Sequence, residues 1–128
     1  SYNANPGSVG AAIDTLALAG GERWLVLGDM AELGDNAAAL HAGIGERARQ
    51  HGIDRLFAVG PLSAAAIKAF GARGEHFADK AALAAALKQQ LHGGVTCLVK
   101  GSRSAGMDQV VVALRDHKGN GEGTSDAA

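Results

Sequence analysis

The sequence predicts an α/β domain of three layers, in which helices cover both faces of a mostly parallel sheet. Three short apolar runs, at 24–27, 56–59 and 96–99, are each followed by a glycine or a polar loop and then by a helical pattern. These runs are apolar throughout, as is typical of strands buried on both faces. At 128 residues the chain has the length of one ordinary domain.

The first helix is predicted from Asn5, a good N-cap residue, and Pro6, which suits a first helical turn. Gly20 and Gly21 end it. Its apolar face is formed by Val9, Ile13, Leu16 and Ala17. Because this helix precedes the first apolar run, we expect a further strand before Ser1 and a right-handed crossover between the two. The chain would then be an excised part of a longer protein.

Four more helices are predicted along the rest of the chain. The second has an apolar stripe of Ala37, Leu40, Ile44 and Ala48 and is closed by Gly52; the third runs from Pro61 toward Gly71; the fourth is capped by Asp79 and carries Leu83, Leu87 and Leu91; the fifth contains Met107, Val110, Val111 and Leu114. The composition then turns polar and glycine-rich. We therefore place one domain at residues 1–116 and a flexible polar tail at 117–128.

Charge and cysteine content exclude several classes of partner. Lys and Arg number 12 against 13 Asp and Glu, so no net field recruits nucleic acid or an anionic membrane. The single cysteine, Cys97, lies in an apolar run and is expected in the core, in keeping with a reducing cytoplasm. No apolar stretch reaches the roughly 18 to 20 residues that span a bilayer. We expect a soluble protein.

Polar clusters mark the loops where a ligand would bind. In open parallel sheets ligands bind beyond the carboxyl ends of the strands. The loops predicted at these ends comprise residues 1–5, 28–34, 60–61 and 100–104. Lys100 ends an apolar run, and with Ser102 and Arg103 it can converge on a phosphate or carboxylate. Alternatively, Lys100 extends to solvent and Arg103 pairs with Asp108.

The loop at 28–34 holds two carboxylates between glycines. Asp29 and Glu32 suit a metal or general-base role, but we expect Asp29 to accept hydrogen bonds from backbone N–H groups of its own loop and Glu32 to be solvated. His41 falls on the inward face of the second helix, near its start. There it would be a satisfied, partly buried histidine, or it would point at the loop. We assign no metal ligands.

The N-terminal segment Tyr2-Asn3-Ala4-Asn5-Pro6 places two side-chain amides where a helix begins. The free backbone N–H groups of a first helical turn favour anionic ligands. Capping and turn chemistry alone would also explain Asn3 and Asn5. Tyr2 could stack on a flat ring or simply pack on the sheet.

Several nucleotide and hydrolase signatures are absent from the sequence. No Gly-x-Gly-x-x-Gly follows a strand, no Gly-Lys pair occurs and there is no Gly-x-Ser-x-Gly. A nicotinamide or flavin site therefore has no positive support. Because the sequence holds no P-loop, we expect that this chain does not bind a nucleoside triphosphate by itself.

Three ordered motifs carry a resemblance to a known family. They are Tyr2-Asn3-Ala4-Asn5-Pro6, the run Leu27-Gly28-Asp29-Met30-Ala31-Glu32-Leu33-Gly34, and Val99-Lys100-Gly101-Ser102-Arg103. From Ser1 to about Leu114 the chain resembles the C-terminal, Rossmann-like domain of the Mur ligases. These are the ATP-dependent amide-forming enzymes of bacterial peptidoglycan synthesis. Within them it is most similar to the member that joins D-alanyl-D-alanine to UDP-N-acetylmuramoyl-tripeptide.

The resemblance implies a lid domain that works with a central ATPase domain of the same chain, in the bacterial cytoplasm. ATP and Mg²⁺ would be bound mainly outside residues 1–128. By position in the motifs, Tyr2, Asn3 and Asn5 would lie near the nucleotide's base and ribose. Lys100, Ser102 and Arg103 would face the acceptor dipeptide and carry the catalytic role. A stand-alone Rossmann-like module that binds a small anion or a protein, without catalysis, is the alternative.

Overall fold

Helices and strands alternate along the chain in the computed structural model, which describes residues 5–101 and the backbone of residues 112–114. The helices are α1 (Pro6–Leu16), α2 (Ala37–Gln50), α3 (Ala64–Phe70) and α4 (Lys80–Gln90), and a short 3₁₀ turn spans Gly34–Asn36. The strands are β1 (Glu22–Gly28), β2 (Arg55–Val59), β3 (Gly74–Phe77), β4 (Val95–Lys100) and β5 (Val112–Leu114).

The strands form one sheet in the order β3-β2-β1-β4-β5. Strands β3, β2, β1 and β4 are parallel, and β5 pairs antiparallel with β4 at one edge. The predicted mostly parallel sheet is confirmed. The chain moves outward from β1 through β2 to β3 and then returns through α4 to β4 on the other side of β1. The strand order therefore reverses next to β1, where open α/β sheets bind ligands.

Two apolar cores lie on opposite faces of the sheet, because successive side chains of a strand point to opposite sides. Leu25 and Leu27 of β1 pack with α1, α2 and α3, whereas Trp24 and Val26 pack toward α4. Helices thus cover both faces, as predicted. Cys97 lies in the core on the α4 side, and burial raises the pKa of its thiol to about 12. Its predicted place in the core is confirmed.

The predicted caps of α1 and α4 are both present. The Ser8 backbone N–H donates to Asn5 Oδ1 at 2.9 Å, and the Asn5 backbone N–H donates to Ser8 Oγ at 3.1 Å, which completes a capping box. Asp79 Oδ1 accepts from the Ala82 backbone N–H at 2.8 Å. These short polar side chains satisfy N–H groups that have no partner within the helix, and so they set where each helix begins.

Three predictions about the elements need correction. Strand β3 was not expected, since Gly74–Phe77 carries the polar Glu75 and His76 and has a strand neighbour on one side only. Helix α3 begins at Ala64, three residues after Pro61. The predicted fifth helix is wrong at its end, because Val112–Leu114 pairs with β4 instead.

The rest of that predicted helix, Met107, Val110 and Val111, and the predicted tail at 117–128 lie outside the described residues. The domain limit at residue 116 stays a prediction. In the part of the chain that the structure describes, no helix has the length and apolar character that crossing a membrane requires.

An exposed ionic cluster joins α1 to α2 and makes stability depend on pH. Arg47 donates hydrogen bonds to the Asp14 carboxylate at 2.7 and 3.3 Å, and His51 Nε2 lies 3.2 Å from it. The Arg47 hydrogen bonds, with the charges of Arg47 and His51, hold the pKa of Asp14 below its ordinary value of 3.8. The folded state therefore binds the Asp14 proton less readily than the unfolded chain does.

We expect this cluster to stabilise the fold above the unfolded pKa of Asp14 and to lose its contribution as the pH falls below about 3.8 through the lower folded pKa. The free energy of unfolding, measured by urea titration between pH 2 and 6, should therefore fall less steeply toward low pH in Asp14→Asn than in the wild type. Asp35→Asn, which removes an exposed carboxylate from the 3₁₀ turn, is the control. An equally steep fall in the wild type and in Asp14→Asn would show that Asp14 does not cause this pH dependence.

Candidate functional site

The six residues predicted to form the site are described only in part. Asn5 and Lys100 lie within the described residues. Tyr2, Asn3, Ser102 and Arg103 lie outside them, so the geometry of those four side chains stays a prediction. The two residues that are described can be placed relative to the sheet.

Lys100 is the last residue of β4 and lies at the carboxyl edge of the sheet. It is the register partner of Leu27 on the parallel strand β1, and so it is level with the start of the loop that follows Gly28. It is half-buried and lies on the face of β4 opposite to that of the buried Val95 and Cys97. This end of β4 lies next to the point where the strand order reverses.

Asn5 caps the N-terminus of α1, and the packing of α1 places that end toward the same edge. The C-terminus of α1 is tied to the start of β1, because Arg23 donates to the Ala17 carbonyl at 2.7 Å. Helix α1 therefore runs antiparallel to β1, and its 11 residues extend from the amino edge toward the carboxyl edge. The Asn5 Oδ1 is used in the capping box, and its NH₂ group takes no part in it.

A cleft of about 630 Å³ opens at the carboxyl ends of β1, β2 and β3. Its lining comes from the loop 29–34, from Val59, Gly60 and Leu62 at the end of β2, and from 78–80 at the start of α4. Two loops selected from the sequence, 28–34 and 60–61, thus lie side by side. The contribution of 78–80 was missed, because it depends on the unpredicted strand β3.

Asp29 joins these two loops. Its carboxylate accepts hydrogen bonds from the Leu62 backbone N–H at 3.0 Å, from the Ser63 backbone N–H at 2.8 Å and from Ser63 Oγ at 2.8 Å. Asp29 does bind backbone N–H groups, but they belong to the neighbouring loop, so the expectation of bonds within its own loop is wrong. Its oxygens are used in holding the start of α3, which favours a structural role over that of a general base.

The Asp29 carboxylate sits so close to the backbone of Gly60 that no larger residue fits there. A Cβ on Gly60 would lie 2.5 Å from Asp29 Cγ, and Gly60 has φ +109, which side chains rarely adopt. The Gly60 carbonyl in turn accepts from His76 Nε2 of β3 at 2.7 Å. The ends of β1, β2 and β3 are therefore joined by side-chain hydrogen bonds on one side of the cleft.

The loop between β1 and α2 has an unusual backbone path. Glu32 is exposed, as expected, and adopts φ +58, and Gly34 follows with φ +74. A non-glycine residue in the left-handed region costs of the order of 1 kcal/mol, so contacts elsewhere in the loop must hold this shape. One of them comes from His41, which is fully buried and accepts a hydrogen bond from the Met30 backbone N–H. Of the two alternatives stated for His41, each is met in part: both ring nitrogens have partners and one of them bonds the loop, but the side chain is fully buried and not partly buried.

Within residues 5–101 no group of three or more His, Cys, Asp and Glu side chains is arranged to hold a metal ion. Among the carboxylates of the cleft, Asp29 bonds the start of α3, Asp79 caps α4, and Glu32 is exposed. The chemistry that the described cleft offers is hydrogen bonding and charge, with Glu32 and Lys80 among its charged side chains.

Comparison with known protein families gives one match over most of the chain. A profile described as "Mur ligase, glutamate ligase domain" matches residues 1–103. The UDP-N-acetylmuramoyl-tripeptide–D-alanyl-D-alanine ligase of Escherichia coli K12 is 52% identical over 122 residues, which cover 91% of this chain and 26% of that protein. The enzyme of the same name from Bacillus subtilis 168 is 39% identical over 121 residues, covering 89% of this chain and 26% of that protein.

Solved structures agree with the sequence comparison. The MurF ligase of Thermotoga maritima in complex with ADP superposes with a TM-score of 0.70 at 25% identity, over 82% of this chain and 24% of that one. MurF of Acinetobacter baumannii superposes with a TM-score of 0.70 at 30% identity, again over 82% of this chain and 24% of that one. The chain spans about a quarter of the length of the curated relatives it matches.

Proposed function

This chain belongs to the Mur ligase family, and from that membership we propose that it is the C-terminal domain of a UDP-N-acetylmuramoyl-tripeptide:D-alanyl-D-alanine ligase. The observation that carries the proposal is the 52% identity over 91% of the chain to an enzyme of that name. The superposition on MurF structures supports it.

The reaction joins two substrates through an acyl phosphate. ATP transfers its γ-phosphoryl group to the terminal carboxylate of the tripeptide, which leaves ADP. The amine of D-alanyl-D-alanine then attacks the acyl carbon, a new amide forms, and phosphate leaves with the C–O bond electrons while the amine loses its proton. The protein must juxtapose these groups and exclude water from the acyl phosphate, which closure of a lid domain accomplishes.

Nucleotide phosphates and Mg²⁺ are assigned to the rest of the full-length protein. The chain contains no P-loop, and among the described residues no cluster suits a metal. What this domain would supply to the nucleotide is contact with the base and ribose through Tyr2, Asn3 and Asn5. The capping box leaves the Asn5 NH₂ group for such a contact, because it uses only the Oδ1.

The acceptor side is assigned to Lys100, Ser102 and Arg103. Lys100 lies at the carboxyl edge beside the loop after β1, where its charge can hold the dipeptide carboxylate or offset negative charge on the tetrahedral intermediate. Ser102 and Arg103 follow it directly along the chain. Their approach to the acyl phosphate depends on closure of this domain over the rest of the enzyme.

The deciding experiment measures phosphate release by the full-length protein with ATP, magnesium and UDP-N-acetylmuramoyl-tripeptide, with and without D-alanyl-D-alanine. We expect release that depends on the dipeptide, together with a product whose mass equals the pentapeptide. A folded, ATP-binding protein without dipeptide-dependent release would overturn the proposal and favour a binding module without catalysis.

A further inference from the structure

A fully buried histidine of α2 accepts a hydrogen bond from the backbone of the loop that lines the cleft. The side chain of His41, on the first turns of α2, is 0% exposed. Its Nδ1 lies 2.7 Å from the Ala37 carbonyl oxygen, and its Nε2 lies 3.0 Å from the Met30 backbone nitrogen. A carbonyl can only accept and a backbone N–H can only donate. The ring is therefore neutral, with its proton on Nδ1 and the Nε2 lone pair directed at Met30.

The buried imidazole contributes hydrogen bonds as well as volume to the core. A leucine or methionine would fill a comparable volume without the cost of taking two polar nitrogens out of water. The histidine recovers that cost only through its two hydrogen bonds, and one of them leaves its own helix to reach a loop 11 residues earlier in the chain. The feature that this histidine adds to the fold is thus the position of the Met30 backbone.

Met30 lies between the two residues that shape the cleft loop, Asp29 and Glu32. On one side of it Asp29 is fixed to the start of α3, and on the other side the chain turns through the left-handed Glu32 into the wall of the cleft. The loop wall carries the negative Glu32, and the facing wall at the start of α4 carries the positive Lys80. Opposite charges on two walls suit a zwitterion, which is the form of a free dipeptide at neutral pH.

We propose that His41 is a positioning residue for the acceptor: by accepting the Met30 N–H it fixes the loop 29–34 in the shape that forms one wall of a cleft for a zwitterionic peptide. The link to the acceptor rests on the function proposed above. The link between His41 and the shape of the loop does not depend on it.

Two neutral amide variants separate the two hydrogen bonds of His41. The amide of His41→Gln reaches the position of Nε2 and can accept from Met30, whereas that of His41→Asn reaches only the position of Nδ1 and can bond Ala37. Both are made in the full-length protein. Hydrogen exchange of the peptide containing residues 29–34 reports the loop directly, and steady-state kinetics reports KM for D-alanyl-D-alanine and for ATP.

We expect His41→Asn to speed exchange in the loop by about tenfold and to raise KM for the dipeptide by roughly fivefold, as the loss of one buried hydrogen bond predicts. KM for ATP should stay unchanged, because this cleft does not hold the nucleotide phosphates. His41→Gln should stay close to the wild type in all three measurements. A general loss of stability would instead move both KM values and both variants together.

Equal exchange in the two variants, or an equal rise of KM for ATP and for the dipeptide, would overturn the proposal. If the wild-type protein releases no phosphate in response to the dipeptide, the proposed function fails, and the exchange comparison still judges His41. Should His41→Asn not fold, ¹⁵N labelling of the histidine rings in the wild-type protein decides: a neutral Nδ1–H tautomer at His41 supports the proposal, and a proton on Nε2 overturns it.

Discussion

Replacing Gly45 with alanine is expected to destabilise the fold by about 3 kcal/mol, at the upper end of what overpacking usually costs. Gly45 is buried on α2 where that helix crosses α3, and a Cβ built on it would lie 2.9 Å from Ala66 Cα and 2.8 Å from its carbonyl carbon, with the carbonyl oxygen closer still. These atoms belong to the backbone of Ala66 in α3 and cannot rotate away as the end of a long side chain could. Helices α2 and α3 must therefore separate.

The same helix offers a matched control at Gly43. This glycine is exposed, and a Cβ on it would meet nothing within 4 Å. Since alanine is the better helix former, Gly43→Ala should stabilise the fold by roughly 0.5 to 1 kcal/mol. The two variants share the gain in helix propensity, and their difference isolates the contact with Ala66.

Urea unfolding measures both variants, with Trp24 as the probe. Trp24 is the single tryptophan of the chain and is 1% exposed in the core on the α4 side, so its fluorescence reports global unfolding. Similar free energies of unfolding for Gly45→Ala and Gly43→Ala would show that α2 and α3 do not approach so closely. The loss of stability should also reach the cleft, because α3 begins at the loop that Asp29 holds.

The parts of the fold that could be predicted from the sequence are those that depend on neighbours in the chain. The apolar runs revealed β1, β2 and β4 because both of their faces are covered. Asn5 and Asp79 revealed where α1 and α4 begin, since a cap bonds N–H groups only two or three residues ahead.

The parts that were missed depend on the rest of the sheet. Strand β3 has polar residues at Glu75 and His76, as an edge strand permits, so it lacks the apolar run. At Val112–Leu114 the helical spacing of apolar residues competed with β-branched valine, and the open edge of β4 decided in favour of a strand.

The same distinction applies to the site. Loop positions at the carboxyl ends of strands follow from the order of elements, and loops 28–34 and 60–61 were found in this way. The partners of individual side chains do not follow from it. Asp29 bonds residues 33 and 34 positions later, and His41 bonds one 11 positions earlier. Only the packing of α2 and α3 brings these groups together.

Removal of the Lys100 ammonium should depress ligation strongly. In the full-length enzyme we expect Lys100→Ala to lower kcat/KM for D-alanyl-D-alanine more than about tenfold, which corresponds to about 1.4 kcal/mol of transition-state stabilisation. The reason is position: Lys100 ends β4 level with Leu27, at the edge where the strand order reverses. Lys88→Ala is the matched control, because this exposed lysine lies in the last turn of α4, toward the opposite edge of the sheet.

A substrate analogue can distinguish the two roles open to Lys100. D-Alanyl-D-alaninamide lacks the carboxylate, so if Lys100 holds that group, the analogue and Lys100→Ala should each reduce kcat/KM and their combination should cost little more than either alone. If Lys100 instead offsets charge on the tetrahedral intermediate, the two losses should add, and the variant should lower kcat more than it raises KM. Unchanged kinetics in Lys100→Ala, with Lys88→Ala also unchanged, would mean that Lys100 does not act on the acceptor, and the cleft walls with Glu32 and Lys80 would have to hold the dipeptide without it.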